Sequence, residues 1–145
     1  MIENILKWLF LKYNKRVLKK NLFSGSLSLD GLSNPVTVYR DKWHIPHIYA
    51  KNNNDMFFAQ GFIHAQDRLW QMEFQTMAAA GRLSEIIGPN AISFDQYQRR
   101  IGMVFSAENG LEATKKFPIV FEGIQAYADG VNAYIQSLKW DQYPI

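Results

Sequence analysis

Cysteine is absent from the 145 residues, which excludes disulfides, thiolate–zinc sites and a cysteine nucleophile. Histidine is scarce, with only His44, His47 and His64. No serine lies in a Gly-x-Ser-x-Gly elbow, and no Ser-x-x-Lys occurs. A Ser–His–Asp arrangement assembled in space stays open on composition, but three histidines leave little room for one. There is no His-Glu-x-x-His, no glycine-rich phosphate loop after a strand and no acidic calcium loop. Asn52-Asn53-Asn54-Asp55 offers oxygen ligands but lacks the glycine and terminal glutamate of such a loop, so helix capping explains it better. Long apolar runs are missing too. The run between Lys7 and Lys12 is four residues long, whereas a membrane span needs about 20.

What the chain has in quantity is apolar and aromatic side chains, including ten Phe, seven Tyr and four Trp, enough to build a core and to argue against disorder. Its net charge of +3 is unevenly spread. Residues 1–20 carry six basic side chains against Glu3 alone, a net of +5, and the other 125 residues hold ten basic and twelve acidic ones, a net of −2. Basicity therefore belongs to a leader over residues 1–22, and nucleic acid is not an expected partner of the body, residues 23–145. Ile2, Ile5, Leu6, Leu9, Tyr13 and Val17 recur at helical spacing among the lysines, so the leader reads as a basic amphipathic helix. Two readings stay open for it, a solvated helix or one lying on an anionic membrane surface. No clear cleavable signal peptide is present. The compartment is thus undetermined, membrane-associated or cell envelope on one reading and cytoplasmic on the other.

The body opens with short β-like segments. Gly25–Leu29 alternates and ends at an Asp30-Gly31 turn signal, Val36–Arg40 is β-branched, and His47–Ala50 reads as a third strand paired with the second in a hairpin. Pro46 has no N–H to donate, so it belongs at a strand start or edge. Asn52 to Asp55 signals a helix start, after which Phe58, Phe62, Ala65, Leu69 and Met72 follow 4-3-4-3 spacing. Ala59, Ile63, Trp70, Phe74 and Met77 widen that face and predict burial on more than one side. Gly81 interrupts the helix, a short turn over Leu83–Ile87 follows, and Gly88-Pro89 stops it. Residues 94–103, 106–116 and 118–138 are predicted as further helices. The class is α+β, with two or three short strands followed mainly by helix.

Three strands fall short of a usual sheet of about 5–6, so they read as part of a sheet completed by other chain. After Lys139-Trp140-Asp141-Gln142 the sequence runs to Tyr143-Pro144-Ile145 with no capping pattern, and it is expected to be the leading part of a longer protein. In isolation its wide helix faces are expected to expose apolar patches. Asp67, Arg68, Glu73, Arg82 and Glu85 stand along the otherwise apolar helix, and a structural salt-bridge network joined by Arg40 and Asp41 is the favoured reading over catalysis. The histidines are expected to be packed or hydrogen-bonded structural residues.

Several ordered blocks resemble the penicillin acylase family. They are Val36-Thr37-Val38-Tyr39-Arg40-Asp41, Ile45-Pro46-His47-Ile48-Tyr49-Ala50, and the run from Ala59 to Glu73 that contains Gly61-Phe62 and His64-Ala65-Gln66-Asp67-Arg68-Leu69. Gly81-Arg82-Leu83-Ser84-Glu85-Ile86-Ile87-Gly88, Phe94-Asp95, Arg99-Arg100 and Tyr127-Ala128-Asp129-Gly130-Val131-Asn132 continue in order. The likeness runs from Gly25 to Ile145, 121 residues. One position departs: where the family usually has Gly before Ile/Val-Pro-His-Ile, this chain has His44, which is strained if that site needs a positive φ.

The resemblance implies the N-terminal portion of the α subunit of a four-layer αββα N-terminal nucleophile hydrolase. Such enzymes are made as one precursor that excises a spacer and exposes a serine at the start of the β subunit. The substrates it implies are N-acyl small molecules such as penicillins or acyl-homoserine lactones. The partners it implies are the α-subunit remainder and the β subunit. Calcium is implied only for the full-length enzyme, with no cofactor in this chain. The β-subunit start typically reads Ser-Asn-x-Trp, whereas Ser33-Asn34 is followed by Pro35. No catalytic, substrate-binding or metal residue carries over, and the chain alone is expected to be inactive. The alternative is a non-catalytic remnant or a membrane-surface or binding module.

Overall fold

In the computed structural model, which describes residues 25–143, two strands precede five helices. The leader reading over residues 1–22 lies outside the described residues. Strands β1 (Thr37–Arg40) and β2 (Pro46–Tyr49) pair antiparallel, with Tyr39 opposite His47 and Arg40 opposite Pro46. Pro46 opens its strand, where a missing N–H costs least. The expected strand over Gly25–Leu29 does not form. No neighbouring strand among the described residues offers it a ladder, and a lone strand leaves its backbone groups unpaired.

Helix α1 (Asn53–Ala80) begins where the Asn/Asp cluster signals. The Asn52 side chain accepts from the Asp55 N–H at 2.8 Å. Asp55 is itself 1% exposed and accepts from the backbone N–H groups of Ser33 at 2.8 Å and Asn34 at 3.0 Å. It also accepts from the Asn34 and Asn52 side-chain amides. The Asp55 carboxylate thus joins the capping Asn52 side chain to the loop before β1. At its other end α1 stops at Gly81, whose φ of 66° suits glycine, and whose N–H caps the last turn.

Helix α2 (Ser84–Ile87) is a single turn capped from a distance. Asp95, 5% exposed, accepts from the N–H groups of Leu83 at 2.9 Å and Ser84 at 2.8 Å. After a 3-10 turn at Pro89–Ala91 come α3 (Ile92–Ile101), α4 (Met103–Thr114) and α5 (Pro118–Ser137).

The first half of α1 crosses α5 with the two backbones in contact. A methyl on Gly61 would meet the backbone carbonyl of Tyr127, and one on Gly130 the backbone carbonyl of Phe58. Around this crossing lie the buried residues Phe58, Ala59, Phe62, Ile63 and Ala65, and Tyr134 meets Phe62 edge-on at 5.4 Å. A smaller cluster of Met77, Leu83 and Ala91, flanked by Phe74 and Ala78, closes the far end of α1.

Large apolar residues elsewhere remain open to solvent: Trp43 is 73% exposed, Phe105 72% and Ile119 78%. No residue of α4 is buried. The wide apolar faces predicted from the sequence are therefore only partly covered.

The crossing makes a direct prediction. Gly61→Ala and Gly130→Ala each lose about 1–3 kcal/mol in urea unfolding followed by circular dichroism, because neither backbone can yield. Gly110→Ala meets nothing within 4 Å on α4 and gains about 0.5–1 kcal/mol.

Candidate functional site

Three groups of polar side chains stand out: the β1–β2 turn, the joint between hairpin and α1, and a cleft beside that joint. In the turn, Asp41 Oδ1 accepts from the N–H groups of Trp43 at 2.8 Å and Ile45 at 3.0 Å, and its Oδ2 accepts from His47 Nε2 at 3.3 Å. Desolvation pulls the Asp41 carboxyl upward, but those backbone bonds and His47 outweigh it and hold it below its ordinary value. His44 sits in this turn with φ of 63°, so the position where the family usually has glycine does adopt the conformation glycine favours.

At the joint, Arg40 reaches from β1 to α1. Its guanidinium grips Asp67 with two bonds of 2.9 Å, donates to Gln66 Oε1 at 3.1 Å and to the His44 carbonyl at 3.2 Å. The next residue, Arg68, breaks the helix with φ −140° and ψ 19°. Neither Pro nor Gly stands there to cause it.

The cleft, of about 620 Å³, lies between β2 and α1. Pro46, Ile48, Met56 and Ile63 give it apolar walls, and Gln60, His64, Asp67 and Arg68 its polar rim. His64 Nδ1 lies 2.6 Å from the Tyr127 hydroxyl on α5. Desolvation pushes the Tyr127 hydroxyl above its ordinary value.

The expected charge network is thus two separate ion pairs, Arg40–Asp67 and Arg82–Glu85 at 2.8 Å. The side chains of both Arg82 and Glu85 are about half exposed. The Arg82–Glu85 bond leads the effects that hold Arg82 up and Glu85 down. Arg40 joins as expected, whereas Asp41 turns to its own loop. His47 bonds to Asp41 and His64 to Tyr127, and no described serine joins either pair. Among the described residues no three His, Asp or Glu side chains converge to hold a metal ion.

Comparison with known proteins decides the family. The penicillin amidase family model matches residues 35–145. The chain belongs to the penicillin amidase family. It is 46% identical over 114 residues to the penicillin acylase 2 proenzyme of Pseudomonas sp. (strain SE83), covering 79% of this chain and 14% of that protein. It is 34% identical over 122 residues to the acyl-homoserine lactone acylase QuiP of Pseudomonas aeruginosa, covering 84% of this chain and 14% of that one. A thermostable penicillin G acylase from Alcaligenes faecalis superposes with a TM-score of 0.65 at 27% identity, over 76% of this chain and 58% of that chain.

This penicillin amidase chain therefore spans about one seventh of the length of the curated relatives it matches. Its hairpin and helices are a piece of an N-terminal nucleophile hydrolase fold. Sequence reasoning named Asp55 in the helix-start cluster and Asp95 in a family block, but missed that each carboxylate binds the backbone of a loop. Their signal was present, since both are acidic residues in the first turn of a helix.

Two predictions follow from this geometry. His44→Gly should be more stable than His44→Ala by about 1 kcal/mol, since the pair differs mainly in the cost of a positive φ. The second concerns acid. Desolvation raises the Asp55 and Asp95 carboxyls, but hydrogen bonds from Ser33 and Asn52, and from Ser84 and Leu83, outweigh it and hold both below 3.8. A depressed folded pKa contributes stability above the unfolded value and loses it as pH falls through the folded one. Urea midpoints should therefore hold steady above about pH 5 and drop below about pH 3.8, with a shallower drop in Asp55→Asn.

Proposed function

We propose that this chain is the N-terminal part of the α subunit of an acylase precursor that hydrolyses the amide bond of N-acyl small molecules, penicillins or acyl-homoserine lactones among them. The observation that carries the reading is the family match over residues 35–145, together with relatives named penicillin acylase and acyl-homoserine lactone acylase. In this reading the nucleophile is an N-terminal serine outside these residues, and its own α-amino group is the base. An amine with a pKa of about 8 can take the hydroxyl proton near neutral pH. Backbone donors then stabilise the oxyanion of the tetrahedral intermediate. The role left to residues 25–143 is scaffold: the hairpin, the α1–α5 crossing and the capped loops.

The test joins this chain to a working enzyme. Residues 25–145 replace the matching segment of the Pseudomonas sp. SE83 proenzyme, and the chimera is assayed with a chromogenic phenylacetyl amide and an acyl-homoserine lactone. The expected outcome is maturation into two chains and turnover of at least one substrate, with none above buffer for the isolated 145-residue chain. Turnover by the isolated chain would overturn the reading. A soluble chimera that neither matures nor turns over would favour a non-catalytic remnant.

A further inference from the structure

Helix α1 joins two clusters that share little packing. Upstream, Phe58, Phe62 and Ala65 pack on α5. Downstream, Met77 packs with Leu83 and Ala91. No residue of α1 between Ala65 and Met77 is buried, and in that thin stretch the helix breaks at Arg68. Packing does not fix the angle there, because the residues around the break bury too little apolar surface to favour one angle strongly.

The chain leaves the downstream cluster at a second break. Gly102, with φ 75° and ψ 33°, separates α3 from α4, and a Cβ there would meet nothing within 4 Å. A cleft of about 300 Å³ opens beside it, between Ala79 and Ala80 of α1 and Met103 to Phe105 of α4. Residues 69–101 therefore have a yielding backbone point at each end.

Among the described residues, Arg40 meets the first break from outside the helix. The Arg40 guanidinium holds Gln66 and Asp67, the two residues preceding Arg68, and its side chain is 11% exposed. Asp67 also faces α5, where its charge joins desolvation in raising the Tyr134 hydroxyl. Hairpin, α1 and α5 thus meet one residue before the backbone departs from helix. Two parallel charge-assisted bonds constrain direction as well as distance, which a lone ammonium would not.

We propose that residues 69–101 form a hinged arm pivoting at Arg68 and Gly102, and that the Arg40 fork on Gln66 and Asp67 is the brace that sets its angle. Arg40 acts as a positioning residue. It is not needed to fold either cluster, because neither contains it.

The absence of cysteine makes the test direct in the full 145-residue chain. Spin labels at Glu122→Cys on α5 and Gln96→Cys on α3 report the arm against the base. Labels at Lys51→Cys and Glu122→Cys report the base alone. In Arg40→Met and in Asp67→Asn the arm–base distance distribution should widen at least twofold, while the base pair stays unchanged. Asp67→Glu, which keeps a carboxylate for the fork, should stay near the parent width. Hydrogen exchange gives a second readout: amides of residues 64–72 should exchange about tenfold faster in Arg40→Met, with residues 55–63 unchanged. An unaltered arm–base distribution in both variants would overturn the proposal. So would widening of both label pairs together, which would mean a general loss of structure.

Discussion

The contact on which the described structure rests is the backbone crossing of α1 and α5 at Gly61 and Gly130. Helices usually pack 8–10 Å apart through side chains, and glycine at the contact lets main chains touch. Everything upstream is fastened to that crossing. Phe58 lies beneath the Gly31 turn, and Asp55 three residues earlier binds the loop that leads into β1. Fixing two helices at one point therefore also fixes where the hairpin starts.

The second constraint is electrostatic. Each well-buried carboxylate serves as a receptor for free backbone N–H groups. Asp55 takes those of Ser33 and Asn34, and Asp95 those of Leu83 and Ser84. Burying a carboxylate is costly, and several hydrogen bonds to its charged form offset that cost. Arg99 adds the converse bond, from its Nε to the Gly81 carbonyl at 2.9 Å, so the turn after α1 is held from both polarities. Short loops with little core of their own can be ordered in this way.

Much of this fold was legible in the sequence, for local reasons. The Asn cluster marked the start of α1, Gly81 its end, and Gly88-Pro89 the stop after the next turn. The hairpin was legible because a β-branched run and a second short strand-like run flank a short connection. The strand read at Gly25–Leu29 failed because alternation reports only a willingness to pair, and no partner is present among the described residues. The break at Arg68 was invisible because neither Pro nor Gly marks it. The apolar 4-3-4 spacing that continues past it announced one straight helix. Charge within an apolar helix made Asp67 stand out, with Arg40 as a candidate partner, and family order made His44 stand out. Only coordinates could show that Arg40 and Asp67 are partners, since they lie 27 residues apart.

A catalytic group needs an unspent lone pair or proton aimed at an open site. Among the described residues, Asp41 bonds its turn and His47, His64 bonds Tyr127, Asp67 bonds Arg40, and Asp55 and Asp95 bond backbone amides. Side chains so paired hold the loops and helices in place. What stays unsatisfied is apolar surface, on α4, on the outer side of α5 and on the hairpin. Such surface gains stability by being covered, not by reacting. A segment with so much apolar surface turned outward gains most by being packed against, which suits a chain that spans about one seventh of the length of its curated relatives.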